Sequence, residues 1–268
     1  MKLSFVKLSP TRNITILVTD PVPRDRHAAI AAQLMDSDCV GGEQVGYIEA
    51  PALPGARVRL QMMGGEFCGN ASMSLAAWIA HCDGLPDGAE TDIPLEVSGA
   101  EGLVTCRILR RGNAYEGTVA MPLPSSIRRE ELGGMRFPVV HFPGISHAIV
   151  PESALTPGQA KACIPRWCRQ LDVDAMGILL LNAACDEFIP LVYVRSTDSA
   201  VWEHGCGSGT AAIGAFAAYE RCEDACLRLT QPGGSIRVEA AQRDGIVTGL
   251  KITGTIKLTA QGAAWVDG

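Results

Sequence analysis

The chain opens on alternating apolar and polar residues, MKLSFVKLSPTRNITILV, the pattern of a half-buried strand. Further along, apolar positions gather into two similar blocks. In the first, a β-rich stretch at 58–63 (VRLQMM) runs into the turn GGEFCGN and a helical segment, ASMSLAAWIAHC, with strands following at 94–99 and 103–109. In the second, PLVYVRS at 190–196 leads through VWEHGCGSGT into the helical AAIGAFAAYERC, with strands following at 226–234, 235–240 and 250–258. The order strand, Cys-Gly turn, helix, strand, Gly turn, strand thus occurs twice. Each helix carries an apolar stripe suited to burial against a curved sheet: Met73, Leu75, Ala76 and Ile79 in one, Ile213, Phe216 and Ala217 in the other. A third helix is predicted over 24–35, capped by Asp25, with Ile30, Leu34 and Met35 facing inward. A fourth is predicted near 157–171, interrupted or opened by Pro165. The polar, Pro- and Gly-rich stretch 122–136 reads as a linker. The expected organisation is two homologous α+β lobes, 1–121 and 122–268, with a C-terminal tail able to pack back on the first.

Composition narrows the class without naming the chemistry. Hydrophobic residues form 47% of the 268, enough for a buried core. The net charge is −6 and Lys and Arg form no cluster, which argues against a nucleic-acid partner. No signal-peptide core and no run of 18 apolar residues occurs, so a cytoplasmic protein with no membrane partner is expected. Ten cysteines without an export signal predict mostly free, buried, inert thiols. No CxxC pair is present. The spacings Cys163/Cys168 and Cys222/Cys226 come with no second pair and no nearby His, so no metal is expected.

Two cysteines stand apart because each sits at a glycine-bearing strand-to-helix turn: Cys68 in EFCGNASMS and Cys206 in EHGCGSGTAA, about half the chain apart. At a helix N-terminus a thiol feels the positive end of the helix dipole, which favours thiolate. The first-turn amides of Gly69, Asn70, Gly207 and Ser208 have no intrahelical acceptor and form anion sites. Two tunable thiols with carboxylate-binding amides suit racemisation: one removes an α-proton, the other returns a proton to the opposite face. A glycine-rich phosphate loop is the competing reading of CGSGT, but the Lys of GxxxxGK[ST] is missing and no GxGxxG occurs. A hydrolytic His204–Cys206 pair is disfavoured by their closeness in sequence. Trp202, beside Glu203, is a candidate pocket wall; Trp78 reads as core, and His27, His81 and His141 show no partner signal.

At FCGNA (67–71) and CGSGTAA (206–212) the chain resembles the diaminopimelate epimerase superfamily of pyridoxal-independent two-thiol racemases. The likeness spans nearly the whole chain. It is strongest to the histidine racemases of staphylopine-type opine metallophore biosynthesis, through NITILV, EQVGYIE, GGEFCGNASMS, VSG, PLVYV, VWEHGCGSGTAAIGAF and QPGGSI. This resemblance implies a diaminopimelate-epimerase-like fold, two pseudo-symmetric lobes each wrapping a barrel-like sheet around a central helix, with the substrate in the cleft between. It implies Cys68 and Cys206 as base and acid, no cofactor, an amino-acid substrate and a homodimer. Asn13 matches a site-lining Asn, Glu43 an acidic residue near the thiols, and His147 the superfamily's GNPH-type segment; Glu203 is a further candidate to activate a thiol. The run WEHGCGSGT lacks the Arg of ERGxGET, which speaks against diaminopimelate itself. Phenazine-biosynthesis isomerases share the fold without the two cysteines. A non-catalytic amino-acid-binding protein of the same fold is the alternative from another class.

Overall fold

The computed structural model describes residues 1–267. In chain order its elements are β1 (Lys2–Pro10), β2 (Thr15–Val18), α1 (His27–Met35), β3 (Gln44–Glu49), β4 (Arg59–Met62), α2 (Gly69–Cys82), β5 (Glu90–Val97), β6 (Leu103–Arg111), β7 (Ala114–Ala120), β8 (Ser126–Leu132), β9 (Met135–Phe142), β10 (Ile145–Pro151), α3 (Pro157–Gln170), β11 (Ala175–Leu181), β12 (Phe188–Val194), β13 (Ser199–Trp202), α4 (Gly207–Arg221), β14 (Ala225–Gln231), β15 (Gly234–Arg243) and β16 (Ile246–Trp265). The fold is mixed α+β, mostly sheet with few helices. No helix among the described residues is long and apolar enough to cross a membrane.

The chain divides into two units. The first holds Met1–Ala120 and the chain from Thr253 onward; the second holds Met121–Ile252. In the first unit the strands run β1 through β7 in sequence order, then the later half of β16, and β16 pairs back on β1, so the sheet closes on itself. The helix α2 packs against β5, β6, β7 and β1. All its residues from Gly69 to Ala77, together with Ile79 and Ala80, are buried. A helix buried all round needs small residues where sheet and helix meet. A Cβ on Gly117 would lie 2.7 Å from Ile256 and 3.0 Å from Met73. Outside the ring, α1 covers β3 with Ile30, Ala31 and Leu34.

The second unit repeats this order of connections. β9 and β10 are antiparallel, β10 and β11 parallel across α3, and β11 and β12 antiparallel. The first unit has the same sequence in β1, β2, α1, β3 and β4. After the cysteine-capped helix the two are again alike: β4 pairs parallel with β5, and Glu187, just before β12, makes an isolated parallel bridge to Thr230 of β14. α4 packs on β14, β15, β9 and β10, and α3 on β11 and β12. The apolar positions of α4 are mostly alanines, and Gly214 lets Val238 approach to 2.4 Å of where a Cβ would be.

Several sequence expectations change. The stretch 122–136 is not a linker: Ser126–Leu132 forms β8 and turns through Gly133 and Gly134 into β9. Asp25 caps nothing, because residues 24–26 form a 3-10 turn and α1 begins at His27 behind Arg26, which makes no side-chain cap. Pro165 does not open α3. The helix runs through it, held at its start by a Thr156–Gln159 capping box with Pro157 in the first turn, and by buried Ile164, Trp167 and Cys168 on either side. Phe216 and Ala217 are half-buried, and the buried face of α4 is instead built on Ala211, Ala212, Ala215 and Ala218.

Candidate active site

Cys68 is the N-cap of α2. Its backbone is extended (φ −134°, ψ 111°), and its sulfur accepts a hydrogen bond from the Ala71 amide at 3.4 Å. Cys206 caps α4 in the same way, with φ −107°, ψ 108° and the Gly209 amide donating to sulfur at 3.3 Å. One turn on, a hydroxyl donates back to each cysteine's carbonyl: Ser72 to Cys68 at 2.7 Å, Thr210 to Cys206 at 2.8 Å. Gly69 and Asn70 begin α2, and Gly207 and Ser208 begin α4, at positions whose amides lack an intrahelical acceptor.

Each turn is braced from behind by the loop after the following strand. In the first unit, Ser98 donates to the Glu66 carbonyl at 2.8 Å and accepts from the Met62 amide at 3.0 Å. Gly99, at φ +72°, lies against the Glu66–Phe67 peptide. In the second unit, Gln231 accepts from the Cys206 amide at 2.6 Å and donates to Thr210 at 2.9 Å, while the Gly233 amide donates to the His204 carbonyl at 2.7 Å. These braces are what VSG and QPGGSI encode.

The chemical surroundings of the two thiols differ. The Cys68 thiol donates to Gln44 Oε1 at 2.9 Å. Gln44 Nε2 donates to Asn13 Oδ1 at 2.5 Å and to Thr15 Oγ1 at 2.8 Å. Asn13 Nδ2 donates to Glu43 Oε2 at 2.9 Å. Asn13 and Glu43 thus meet, and reach Cys68 through Gln44. Sequence reasoning missed Gln44, Thr15, Gln231 and Thr210; the signal for the first was its place directly after Glu43 within EQVGYIE.

Cys206 is only 3% exposed. Burial first, then the charge of Glu203 and its hydrogen bond, push its thiol well above the ordinary value, against the pull of Ser208 and the Gly209 amide. The dipole argument alone predicted a lowered value; desolvation and a neighbouring carboxylate outweigh it. Ser208 Oγ lies 3.5 Å from Cys206 Sγ and 3.0 Å from His147 Nε2. His147 is fully buried beneath that serine, its ring against Gly177, where a Cβ would fall 2.0 Å from Nδ1. Its Nε2 thus meets the second residue of α4, Ser208. Trp202 packs on the α3 core and Trp78 stacks on His81. No cysteine pair among the described residues is bridged.

Burial holds the His147 imidazole down at about 3, from an ordinary 6.5. A base whose folded value is depressed stabilises the fold above its unfolded value and loses that contribution as pH falls. Acid should therefore weaken the protein by up to about 1.4 kcal/mol per pH unit over the window from 6.5 toward 3. Urea unfolding at several pH values checks this: the slope should flatten in His147→Gln, and an equal slope in both proteins counts against it.

The family model described as the histidine racemase CntK N-terminal domain matches residues 2–265. A histidine racemase of Staphylococcus aureus is 32% identical, covering 99% of this chain and 98% of that protein. One from Fusobacterium nucleatum is 28% identical over 98% and 97%. Among solved structures, a hydroxyproline epimerase from Agrobacterium vitis superposes with a TM-score of 0.69 at 14% identity, covering 100% of this chain and 93% of that one. A phenazine biosynthesis PhzF family protein from Enterococcus faecalis gives 0.62 at 13%, over 99% and 100%. Fold and relatives together define an isomerase, an amino-acid racemase. Within that class, the chain belongs to the histidine racemase family.

Proposed function

We propose that the protein interconverts L- and D-histidine without a cofactor, with Cys68 and Cys206 as its two acid–base groups. The observation that carries the mechanism is the repeated cap: in each unit a cysteine sulfur stands at the first turn of a buried helix, at the positive end of its dipole. The thiolate of one cysteine takes the α-proton and becomes a thiol. The thiol of the other gives its proton to the opposite face of the same carbon and becomes a thiolate. The substrate leaves inverted, and proton exchange with water resets the pair. The carbanion's charge spreads into the substrate carboxylate, a group that the backbone amides of a helix start suit. Glu203 takes up or returns the Cys206 proton, and Glu43 acts through Asn13.

Histidine as substrate is supported by the full-length likeness to histidine racemases of two organisms. The two-cysteine repeat and the matching order of connections support the diaminopimelate-epimerase-like description. The reading extends to a cytoplasmic homodimer whose D-histidine enters opine-type metallophore assembly, on the resemblance of WEHGCGSGT and EQVGYIE to that branch. The test is purified protein in D2O with L-histidine. Chiral chromatography should show D-histidine, and mass spectrometry one deuterium at the α-carbon. A larger kcat/KM for diaminopimelate would overturn the substrate. Absence of any α-exchange would leave an amino-acid-binding protein.

A further inference from the structure

We infer that Gln44 is a positioning residue: its side-chain amide is locked so that its carbonyl oxygen faces the Cys68 sulfur, holding that cysteine as a thiol in the resting enzyme. This rests on the proposed acid–base role of Cys68.

The orientation follows from the hydrogen bonds at the other end of the amide. A carboxylate can only accept, so Glu43 must face the NH2 of Asn13, and the Asn13 oxygen is left to face Gln44. The Thr15 hydroxyl donates its one proton to the backbone carbonyl of Asn13 at 3.3 Å, so toward Gln44 it can only accept. Both neighbours therefore demand the nitrogen of Gln44. Its oxygen is the atom that remains for Cys68, at 2.9 Å. Turning the amide over would set oxygen against the Asn13 oxygen and against a hydroxyl whose proton is already used.

An acceptor facing sulfur stabilises S–H and disfavours S⁻. The series Glu43, Asn13, Gln44, Cys68 points every donor toward the carboxylate, so each bond polarises the next. An amide cannot itself take a proton. Cys206, by contrast, meets the carboxylate of Glu203, which can. The two thiols thus have distinct resting tasks: Cys68 is loaded as the proton donor, and Cys206 is the one with a base at hand. Parallel pairing of β2 with β3 sets Thr15 beside Gln44, so the lock is built into the register.

The test follows Cys68 alone. Full-length protein is treated with iodoacetamide across pH, and modification at Cys68 is read by mass spectrometry. Gln44→Met removes the acceptor without changing charge and should lower the Cys68 midpoint by about one pH unit, with roughly threefold faster alkylation at pH 7 because a less basic thiolate is also less nucleophilic. Gln44→Glu should move it the other way. An unshifted or raised midpoint in Gln44→Met overturns the inference. An independent readout uses the unaltered protein: the infrared S–H band lost in Cys68→Ser should be present at pH 7 and at the low frequency of a bonded thiol. Its absence means a resting thiolate and also overturns the inference. Neither readout needs turnover, so failure here is separable from failure of the racemase mechanism, which Cys68→Ser activity tests.

Discussion

Serine in place of either Cys68 or Cys206 should abolish most racemisation, by about 10²- to 10⁴-fold, the usual contribution of one general acid or base. A hydroxyl is a far weaker acid than a thiol, so proton transfer on that face nearly stops, and racemisation needs both faces. The surviving thiol still exchanges the α-proton of the enantiomer it faces. Each variant should then wash deuterium into one enantiomer, with opposite preference in the two. The fold should survive, because serine is a good N-cap and can accept from the Ala71 or Gly209 amide as the sulfur does. Cys206 is buried, but Glu203 and Ser208 stand ready to bond a hydroxyl there. Near-normal racemisation in either variant would remove that cysteine from the acid–base pair.

The largest structural effect is expected from Gly99→Ala. An alanine there takes a left-handed backbone, φ +72°, and sets its Cβ 2.4 Å from the Phe67 nitrogen and 2.8 Å from the Glu66 carbonyl carbon. Both are backbone atoms of the turn that presents Cys68, so no side chain can swing aside. The conformational cost is about 1 kcal/mol, and the displaced turn brings the total to about 3 kcal/mol or more. Gly88, at φ +75° with nothing within 4 Å of a Cβ, is the control: Gly88→Ala should lose only the conformational part. Thermal unfolding of the two variants reads the difference directly. Activity should fall in Gly99→Ala alone, since its turn carries the reacting thiol. Equal melting temperatures would mean that the Glu66–Phe67 peptide gives way freely.

What the sequence makes legible is what is written locally. The alternation of β1, the alanine-rich helices and the two Cys-Gly turns all survive in the structure. The segment Ser126–Leu132 does not read as a strand because most of its residues remain partly or fully exposed at the edge of its sheet, leaving no apolar alternation to see. Pro165 reads as a breaker because the buried contacts that hold α3 together on both sides come from other elements. At the site, the cysteines stand out through repetition, whereas Gln44 and Gln231 are ordinary amides until strand pairing and a turn bring them to Cys68 and Cys206. The direction of the Cys206 shift was unreadable for the same reason: a helix start is local, and burial is not.

The pairing of the first strand with the last carries a consequence for synthesis. Lys2 pairs with Trp265 and Pro10 with Ile256, so the opening segment of the chain waits for its closing one. The residues that seal the first unit, from Thr253 onward, are made only after all of the second unit, Met121–Ile252. The half made first is therefore the half finished last. Until that closing strand arrives, β1 and β7 are exposed edges with unpaired backbone groups, open to joining a neighbouring nascent chain. Truncation after Ile252 should spare the later half and leave the earlier one unsealed and prone to aggregate.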